Sequence, residues 1–292
     1  MTTAFFKGNI MEHIHWYPGH IAKAEKKLKE QVNIVDVIIE VLDARIPESS
    51  SYPDIEKLVK DKPRLILLNK SDLADTEKTL LWVKYVKEKT KCPVIATSAG
   101  DNRDLSKILN KVSELGQPKI IKLVQKGLLP RPVRIMVVGM PNVGKSSIIN
   151  KLIKKSKTKT GAKAGVTRDQ QWVRINPRID LLDTPGIIPL KQEDQKKAYK
   201  LAFVDSIGEN AYDVEAVAKI FIKNVEDLYP DYIRNYYKLE NEDVTIENIA
   251  LKRNWIIQGG NPDTKRCAQN ILGDFRTGRL GKLTLDKNEQ AV

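Results

Sequence analysis

Cysteine is scarce in this sequence, and its scarcity excludes two classes of protein. Cys92 and Cys267 are the two cysteines among 292 residues. They are too few for a disulfide framework, and they are not spaced as metal ligands or as a redox pair. We therefore expect two ordinary reduced thiols.

Long apolar stretches are also absent. No run of about 18 apolar residues occurs, and the N-terminal region lacks an apolar core followed by a small-residue cleavage site. The sequence therefore predicts a cytoplasmic protein with neither a membrane span nor a secretory signal.

Acidic residues are in deficit. Asp and Glu together number 37 against 50 Lys and Arg, which leaves a formal net charge of +13. An excess of this size favours a polyanionic partner, nucleic acid before membrane. The length suits about two domains of ~150 residues each.

A glycine-rich pattern, G-x-x-x-x-G-K-S, occupies residues 139–146. A β-branched run precedes it and helix-compatible residues follow, which is the strand–loop–helix context of a phosphate-binding loop. Such a loop turns its backbone N–H groups toward phosphate at a helix N-terminus. Lys145 would reach the β- and γ-phosphates, and Ser146 would ligate Mg²⁺. The predicted phosphate-binding residues are Asn142, Val143, Gly144, Lys145, Ser146 and Ser147.

Two earlier segments match the parts of a guanine site. Asn69 and Lys70 follow a predicted buried strand, and Asp72 could accept hydrogen bonds from guanine N1–H and its 2-amino group. Asn69 would brace the base, Lys70 would lie over the ring, and backbone N–H groups at Ser98 and Ala99 would meet O6. The alternative for the first segment is a polar turn in which Asp72 caps the next helix.

The pattern Asp-Thr-Pro-Gly at 183–186 ends another predicted strand. Asp183 would hold Mg²⁺ through water, and the Gly186 N–H would meet the γ-phosphate. Thr167 is the candidate for an ordered threonine that ligates the same Mg²⁺. Lys145, Thr167 and Gly186 are thus the candidate catalytic residues of the predicted nucleotide site.

The order of these motifs differs from that of ordinary GTPases. Base recognition at 69–72 precedes the phosphate loop at 139–146 and the segment at 183–186, so the sequence predicts a circular permutation. We expect residues 116–132, which are rich in Gly and Pro, to join the termini of the ordinary fold as a connecting segment.

The predicted fold is α/β, a P-loop GTPase domain with a mostly parallel sheet and helices on both faces, followed by a small all-α domain. Apolar residues recur at helical spacing over 214–228, and Pro230 ends that helix. Pro262 is predicted as the first residue of the last helix. The expected domains are 1–204 and 205–292.

The chain resembles the circularly permuted ribosome biogenesis GTPases of the YlqF type over nearly its whole length. The resemblance includes Trp-Tyr-Pro-Gly-His-Ile-Ala-Lys-Ala at 16–24, Asp-Ala-Arg-Ile-Pro at 43–47, the nucleotide motifs, and segments 259–263 and 274–278. It implies a GTPase that binds GTP and GDP, contacts the rRNA of a late large-subunit precursor in the GTP state, and hydrolyses GTP faster there. We expect a monomer.

The resemblance also implies roles for individual residues. His20 would be a catalytic group brought toward the γ-phosphate on the ribosomal particle; the alternative is a turn histidine that packs beside Trp16. Ile187 stands where many GTPases carry a glutamine that orients the attacking water, so slow unassisted hydrolysis is expected. Asn142 resembles the asparagine that coordinates K⁺ in potassium-activated GTPases, or it is an ordinary loop residue.

The basic residues fall into a lysine-rich cluster at 154–163 and a C-terminal group, and phosphate contacts with rRNA are the expected use of both. The candidate RNA-binding residues of the second group are Lys252, Arg253, Lys265, Arg266, Arg276, Arg279 and Lys282.

Two other functions stay open from the sequence. The absence of a glutamine at 187 allows a non-catalytic RNA-binding scaffold gated by a guanine nucleotide. A P-loop ATPase or small-molecule kinase is the third possibility, and Asp72 argues against it because adenine lacks the donors that this carboxylate would accept.

Overall fold

The computed structural model describes residues 14, 21–52, 54–98, 102–157, 172–183, 186–187 and 194–287. These residues form two compact units. The sheet unit contains the described residues of 21–187 together with 282–287, and the helical unit contains residue 14 and 194–281. The division differs from the expected boundary at residue 205, and the chain returns to the sheet unit after residue 281.

Most strands of the sheet unit coincide with apolar runs in the sequence, several of them rich in β-branched residues. They are β1 (Val37–Asp43), β2 (Arg64–Asn69), β3 (Val94–Thr97), β4 (Val133–Gly139), β5 (Trp172–Asn176), β6 (Ile179–Leu182) and β7 (Gly186–Ile187). Over the described residues they make one sheet, in which β3, β2, β1, β4, β6 and β5 lie in that order. The pairs are parallel except for β5, which runs antiparallel to β6.

Strand β7 pairs with the end of β4 that β6 does not cover. Residues 133–135 of β4 pair with β6, whereas Val138 and Gly139 pair with Gly186 and Ile187 of β7. The chain therefore pairs with β4 twice, first along β6 and again at β7. Strands β1, β2 and β3 precede β4 in the chain and lie on its other side, as the predicted permutation requires.

The helices among the described residues of this unit are α1 (Ile21–Ile34), α2 (Ile55–Val59), α3 (Thr76–Thr90), α4 (Asn102–Gln125) and α5 (Lys145–Lys157). Every residue of β1 is buried, as expected for a central parallel strand covered on both faces. Trp82 of α3 is 1% exposed and packs in one core cluster with Ile66 and Leu68 of β2. The predicted α/β class with a mostly parallel sheet is confirmed.

Helix α4 corrects the expectation of a connecting segment at 116–132. The helix continues to Gln125, so the connection is confined to 126–132. Gly116 is needed inside the helix because a Cβ there would lie 2.2 Å from a methyl group of Val133. Pro118 lies within α4, where its missing N–H costs a helical hydrogen bond. Burial of Ile120, which is 8% exposed, helps to offset that cost.

The helical unit contains α6 (Gln195–Phe203), a short 3₁₀ helix (Glu209–Ala211), α7 (Val214–Leu228), α8 (Tyr232–Tyr237), α9 (Ile246–Lys252) and α10 (Thr264–Thr277). Phe221 of α7 contacts the rings of Phe203 and Phe275, with centroids 5.2 and 5.0 Å away. All three rings are buried, which confirms that α7 presents an apolar face to a core. None of the described helices is long and apolar enough to cross a bilayer.

The start of α10 differs from the prediction at Pro262. Pro262 forms an isolated bridge with Ile256, and the helix begins at Thr264. The Asp263 carboxylate caps the helix by accepting the Arg266 N–H at 3.0 Å. A side-chain cap satisfies a free N–H of the first turn, so the capping residue rather than the proline sets this boundary. Gly278 ends α10 with φ of 79°.

Candidate nucleotide-binding site

The parallel strands bring the predicted motifs to one edge of the sheet. The carboxyl ends of β1, β2, β3 and β4 lie at Asp43, Asn69, Thr97 and Gly139. In open α/β sheets, ligands bind outside the carboxyl ends of the strands. The structure therefore places the segments 69–72 and 139–146 next to each other although they are far apart in the chain.

The phosphate loop connects β4 to α5, and both of its glycines are required by close approaches. Gly139 has φ of 155°, and a Cβ there would lie 2.5 Å from the Val41 carbonyl oxygen of β1. Gly144 has φ of 99°, and a Cβ there would lie 2.1 Å from Asn69 Nδ2. Helix α5 begins immediately afterwards, at Lys145. Its first N–H groups face the loop, which is the arrangement that binds anions.

Lys145 is the buried cation of this loop. The residue is 7% exposed, and its Nζ donates to the Met140 carbonyl oxygen at 2.5 Å. Burial lowers the pKa of the Lys145 ammonium from 10.5 to about 8, because removal from water disfavours the charged form. Ser146 and Ser147, the next residues of α5, are exposed.

Asn69 joins the base-recognition segment to the phosphate loop. It is 1% exposed, and its Nδ2 donates to the Val143 carbonyl oxygen at 2.7 Å. Its Oδ1 is buried and has no hydrogen-bond partner among the described residues. A change at Asn69 would therefore disturb both segments.

Lys70 makes a second link between the same segments. Its Nζ donates to the Asn142 carbonyl oxygen at 2.6 Å and lies 3.1 Å from Asp43 Oδ2. Lys70 and Asn142 both adopt left-handed backbone conformations, with φ of 61° and 56°. The side chain of Lys70 thus ties the end of β1, the end of β2 and the phosphate loop together.

Asp43 and Arg45 take part in this network, a role that the sequence analysis did not assign. The Arg45 guanidinium donates to both carboxylate oxygens of Asp43, at 2.9 and 2.7 Å, and both side chains are buried. Burial alone would raise the pKa of Asp43, but the charges of Arg45 and Lys70 outweigh it and lower that pKa. An acidic residue at the carboxyl end of a buried strand, two residues before an arginine, was the available signal.

The turn after β2 leaves Asp72 available for a ligand. Asp72 is exposed, and the cap of α3 is Asp75, whose carboxylate accepts the Lys78 N–H at 3.0 Å. The alternative in which Asp72 caps the next helix is therefore wrong. The Ser71 N–H donates to the Thr97 carbonyl oxygen at 3.2 Å, which brings the end of β3 beside this turn.

The remaining candidates divide between described and undescribed residues. Asp183 is half-buried just after β6, and Ser98 is half-buried just after β3. The Gly186 backbone pairs with Val138 beside the phosphate loop. His20, Thr167 and Ala99 lie outside the described residues, as do residues 158–163 of the lysine-rich cluster.

Arg276 differs from the other candidate RNA-binding residues of the helical unit because it has internal partners. Its guanidinium donates to the carbonyl oxygens of Ala202 and Phe203, at 2.9 and 3.1 Å, and pairs with Glu209 at 2.9 Å. These contacts join α10 to the end of α6, so the structure gives Arg276 a stabilising role.

The other candidates present more of their surface. Arg253 and Arg266 lie over the rings of Tyr237 and Trp255, and Arg279 pairs with Asp274 at 2.7 Å. Lys252 pairs with Glu240 at 3.4 Å, and Lys265 is exposed. Lys282 is exposed in the sheet unit.

Comparison with known proteins supports the same interpretation of the site. The family described as 50S ribosome-binding GTPase matches residues 134–255, beginning in β4 just before the phosphate loop. Ribosome biogenesis GTPase A of Bacillus licheniformis is 39% identical over 280 residues, which cover 94% of this chain and 99% of that protein. The Bacillus cereus protein of the same name is 38% identical, with 95% of each chain covered.

A solved structure agrees with these relatives. GNP-bound YlqF from T. maritima has 27% sequence identity and a TM-score of 0.62, covering 91% of this chain and 99% of that one. The match extends across both units, and the permuted order of the motifs is present in the described strands. The chain belongs to the ribosome biogenesis GTPase A family, the circularly permuted P-loop GTPases of the YlqF type.

Proposed function

We propose that this protein is a cytoplasmic, monomeric GTPase that acts at a late step of large ribosomal subunit maturation. It binds rRNA in the GTP state, and the ribosomal particle stimulates its hydrolysis. The observation that carries the proposal is the pair of hydrogen bonds from Asn69 and Lys70 to the phosphate loop, because they unite base recognition and phosphate binding in one site. The names of the relatives and the net charge of +13 support the ribosomal partner.

Guanine is selected at the turn after β2. The Asp72 carboxylate accepts hydrogen bonds from guanine N1–H and the 2-amino group, and adenine offers neither donor. Asn69 braces the base, and the methylenes of Lys70 cover the ring. Backbone N–H groups at Ser98 and Ala99 bind O6.

The phosphates are bound at the N-terminus of α5. The backbone of 142–147 surrounds the β-phosphate, and Lys145 neutralises the β- and γ-phosphates. Gly186 offers its N–H to the γ-phosphate from β7, which pairs with the strand that leads into the loop.

The described residues fit a Mg²⁺ site. Ser146 is exposed in the first turn of α5, and Asp183 follows β6, the neighbour of β4. A hydroxyl and a carboxylate are the oxygen donors that Mg²⁺ takes alongside phosphate, and Thr167 would complete the set. When bound, the ion neutralises charge on the β- and γ-phosphates.

Hydrolysis by the free protein is slow because Ile187 cannot orient a water molecule. The expected rate is of the order of 10⁻⁴ to 10⁻² s⁻¹, as for GTPases that wait for an activator. His20 supplies the missing catalytic function when the ribosomal particle docks. Asn142 would supply an oxygen ligand for K⁺ beside the phosphates, and the rate would then depend on that ion.

Nucleotide affinity is expected to fall as the pH rises above about 8, the pKa of buried Lys145 in the free protein. The protonated ammonium binds the phosphates, so above that pH binding must first take up a proton. The dissociation constant for GDP then rises by up to about tenfold per pH unit. Titrations of a fluorescent GDP between pH 7 and about 10 would measure this dependence.

The Lys145→Arg variant is the control for that experiment, because a guanidinium stays charged throughout the same range. If this variant binds GDP, its affinity should show no such loss near pH 8. A profile that is flat for the natural chain would contradict the assignment of Lys145 to the phosphates.

The test of the proposed function is GTP hydrolysis with and without large ribosomal subunits, first in K⁺ and then in Na⁺. We expect stimulation of ~100-fold or more in K⁺, on the scale of activation in trans. A lower rate in Na⁺ would support the role of Asn142. The Lys145→Ala variant, assayed with the same subunits, controls for contaminating hydrolases.

The alternative is a non-catalytic scaffold that binds RNA when a guanine nucleotide is bound. The isoleucine at 187 favours it, because an apolar side chain cannot orient the attacking water as a glutamine would. Nucleotide-dependent RNA binding without hydrolysis, on both mature and precursor particles, would establish the scaffold and exclude the GTPase switch.

A further inference from the structure

The last described segment of the chain, residues 282–287, crosses the sheet unit and is here named the C-terminal strap. Leu283, Thr284 and Leu285 are 0% exposed and Asp286 is 4% exposed, although the segment forms no helix or strand. Burial this complete is unusual for a segment without helix or strand, because connecting segments normally run over the protein surface.

One end of the strap binds the loop after β1. The Asp286 carboxylate accepts the N–H groups of Glu48 and Ser49, both at 2.8 Å, and the Ser49 hydroxyl at 2.6 Å. Three hydrogen bonds to one buried carboxylate make a strong anchor, because bonds to a charged acceptor are stronger than neutral ones.

The middle of the strap binds Arg45, the partner of Asp43. The Leu285 N–H donates to the Arg45 carbonyl oxygen at 2.7 Å. The Arg45 side chain pairs with Asp43, which in turn pairs with Lys70. A continuous chain of contacts therefore runs from the strap to the residue that would cover the guanine ring.

The other end of the strap binds the turn after β2 directly. The Leu283 N–H donates to the Leu73 carbonyl oxygen at 3.3 Å, and the Asp75 N–H donates to the Thr284 hydroxyl at 3.2 Å. These two bonds lie on either side of Ala74 and immediately follow Asp72. The turn is thus held by Asn69 and Lys70 on the side of the phosphate loop and by the strap after Asp72.

We propose that the C-terminal strap positions the guanine-recognition turn, with Asp286 and Thr284 as positioning residues that set the orientation of Asp72. The inference rests on the proposed role of Asp72. Loops that carry binding residues are exposed and lose conformational entropy when they are ordered, so a prior anchor removes part of that loss from the binding step. The strap acts on the selection of the base and leaves the chemistry at the γ-phosphate unchanged.

The experiment measures the affinity of the full chain for GDP and for IDP, whose base lacks the 2-amino group. In Asp286→Ala, GDP affinity should fall by about tenfold, the factor for loss of roughly one charged hydrogen bond. IDP affinity should fall less, so the preference for GDP narrows. The basal kcat at saturating GTP should match that of the natural chain.

Two further variants are controls for this result. Asp286→Asn keeps an acceptor oxygen for the Glu48 and Ser49 N–H groups and should restore most of the preference. Lys287→Ala changes an exposed strap residue and should behave as the natural chain. If Asp286→Ala does not fold, Thr284→Val, which removes the bond from the Asp75 N–H to the hydroxyl, carries the same expectation.

A variant with lowered thermal stability but an unchanged ratio of GDP to IDP affinity would overturn the proposal and give the strap a purely structural role. Asp72→Asn separates this failure from failure of the proposed base site. If Asp72→Asn changes the ratio and the strap variants do not, the strap proposal alone is wrong. If Asp72→Asn leaves the ratio of GDP to IDP affinity unchanged, the assignment of Asp72 is wrong, and the strap proposal, which depends on it, is wrong as well.

Discussion

The Lys145→Ala protein is expected to bind GTP and GDP about 1000-fold more weakly than the natural chain. Truncating one partner of a buried, hydrogen-bonded charge pair costs about 4 kcal/mol, which corresponds to that factor. Lys145 is such a partner because it is 7% exposed at the start of α5, where bound phosphates displace water. Titration of a fluorescent GDP measures the loss.

Lys154→Ala is the matched control for that variant. It removes the same side chain from an exposed position of the same helix, so it changes the net charge equally and should leave GDP affinity unaltered. An equal loss of GDP affinity in the two variants would mean that Lys145 acts only through its contribution to the net charge of the protein. An affinity of Lys145→Ala equal to that of the natural chain would exclude its phosphate contact.

The phosphate loop could be predicted because its requirements are local. Gly139 and Gly144 are needed where the backbone passes within contact of Val41 and Asn69, and the residues after them start a helix at Lys145. The parallel strands β1 to β4 could be predicted for a similar reason, since buried strands of this kind are continuous apolar runs. Local pattern and fold agree at these positions.

The helical conformation of residues 116–125 was not predicted, because these turns of α4 depend on tertiary packing. Gly116 and Pro118 both disfavour a helix by their intrinsic propensities. In the fold, the missing side chain of Gly116 lets the helix lie against Val133, and Ile120 becomes buried. Packing therefore outweighs helix propensity at these residues. The local sequence pattern does not show which strand the helix will pack against, so this outcome could not be predicted.

The Asp43 network and the strap could not be predicted for a different reason. Arg45 contacts Asp43 nearby in the chain, but Lys70 and Leu285 reach this point from distant segments. The strap has no helical or strand period, so its burial follows only from the surfaces that it meets. These contacts hold the guanine-recognition turn, whereas the sequence motif identifies only the residues that would contact the base.

Asp72→Asn is expected to reverse the base preference of the site from guanine to xanthine. The carboxylate accepts two donors of guanine, whereas the asparagine amide would place its own donor against the 2-amino group. Xanthine has a carbonyl at that position and accepts this donor. Because a site built to hydrogen-bond one partner strongly rejects another, GDP affinity should fall by about 1000-fold relative to XDP affinity.

Competition between a fluorescent GDP and unlabelled GDP or XDP measures this reversal. Glu77→Gln is the matched control, since it makes the same carboxylate-to-amide change at an exposed residue in the first turn of α3. The exposed Asp72 is not the cap of α3, so its substitution should leave the fold intact, and a loss of GDP binding reports on the base. Unchanged GDP affinity in Asp72→Asn would instead mean that guanine is selected elsewhere, with the backbone beside Ser98 as the remaining described candidate.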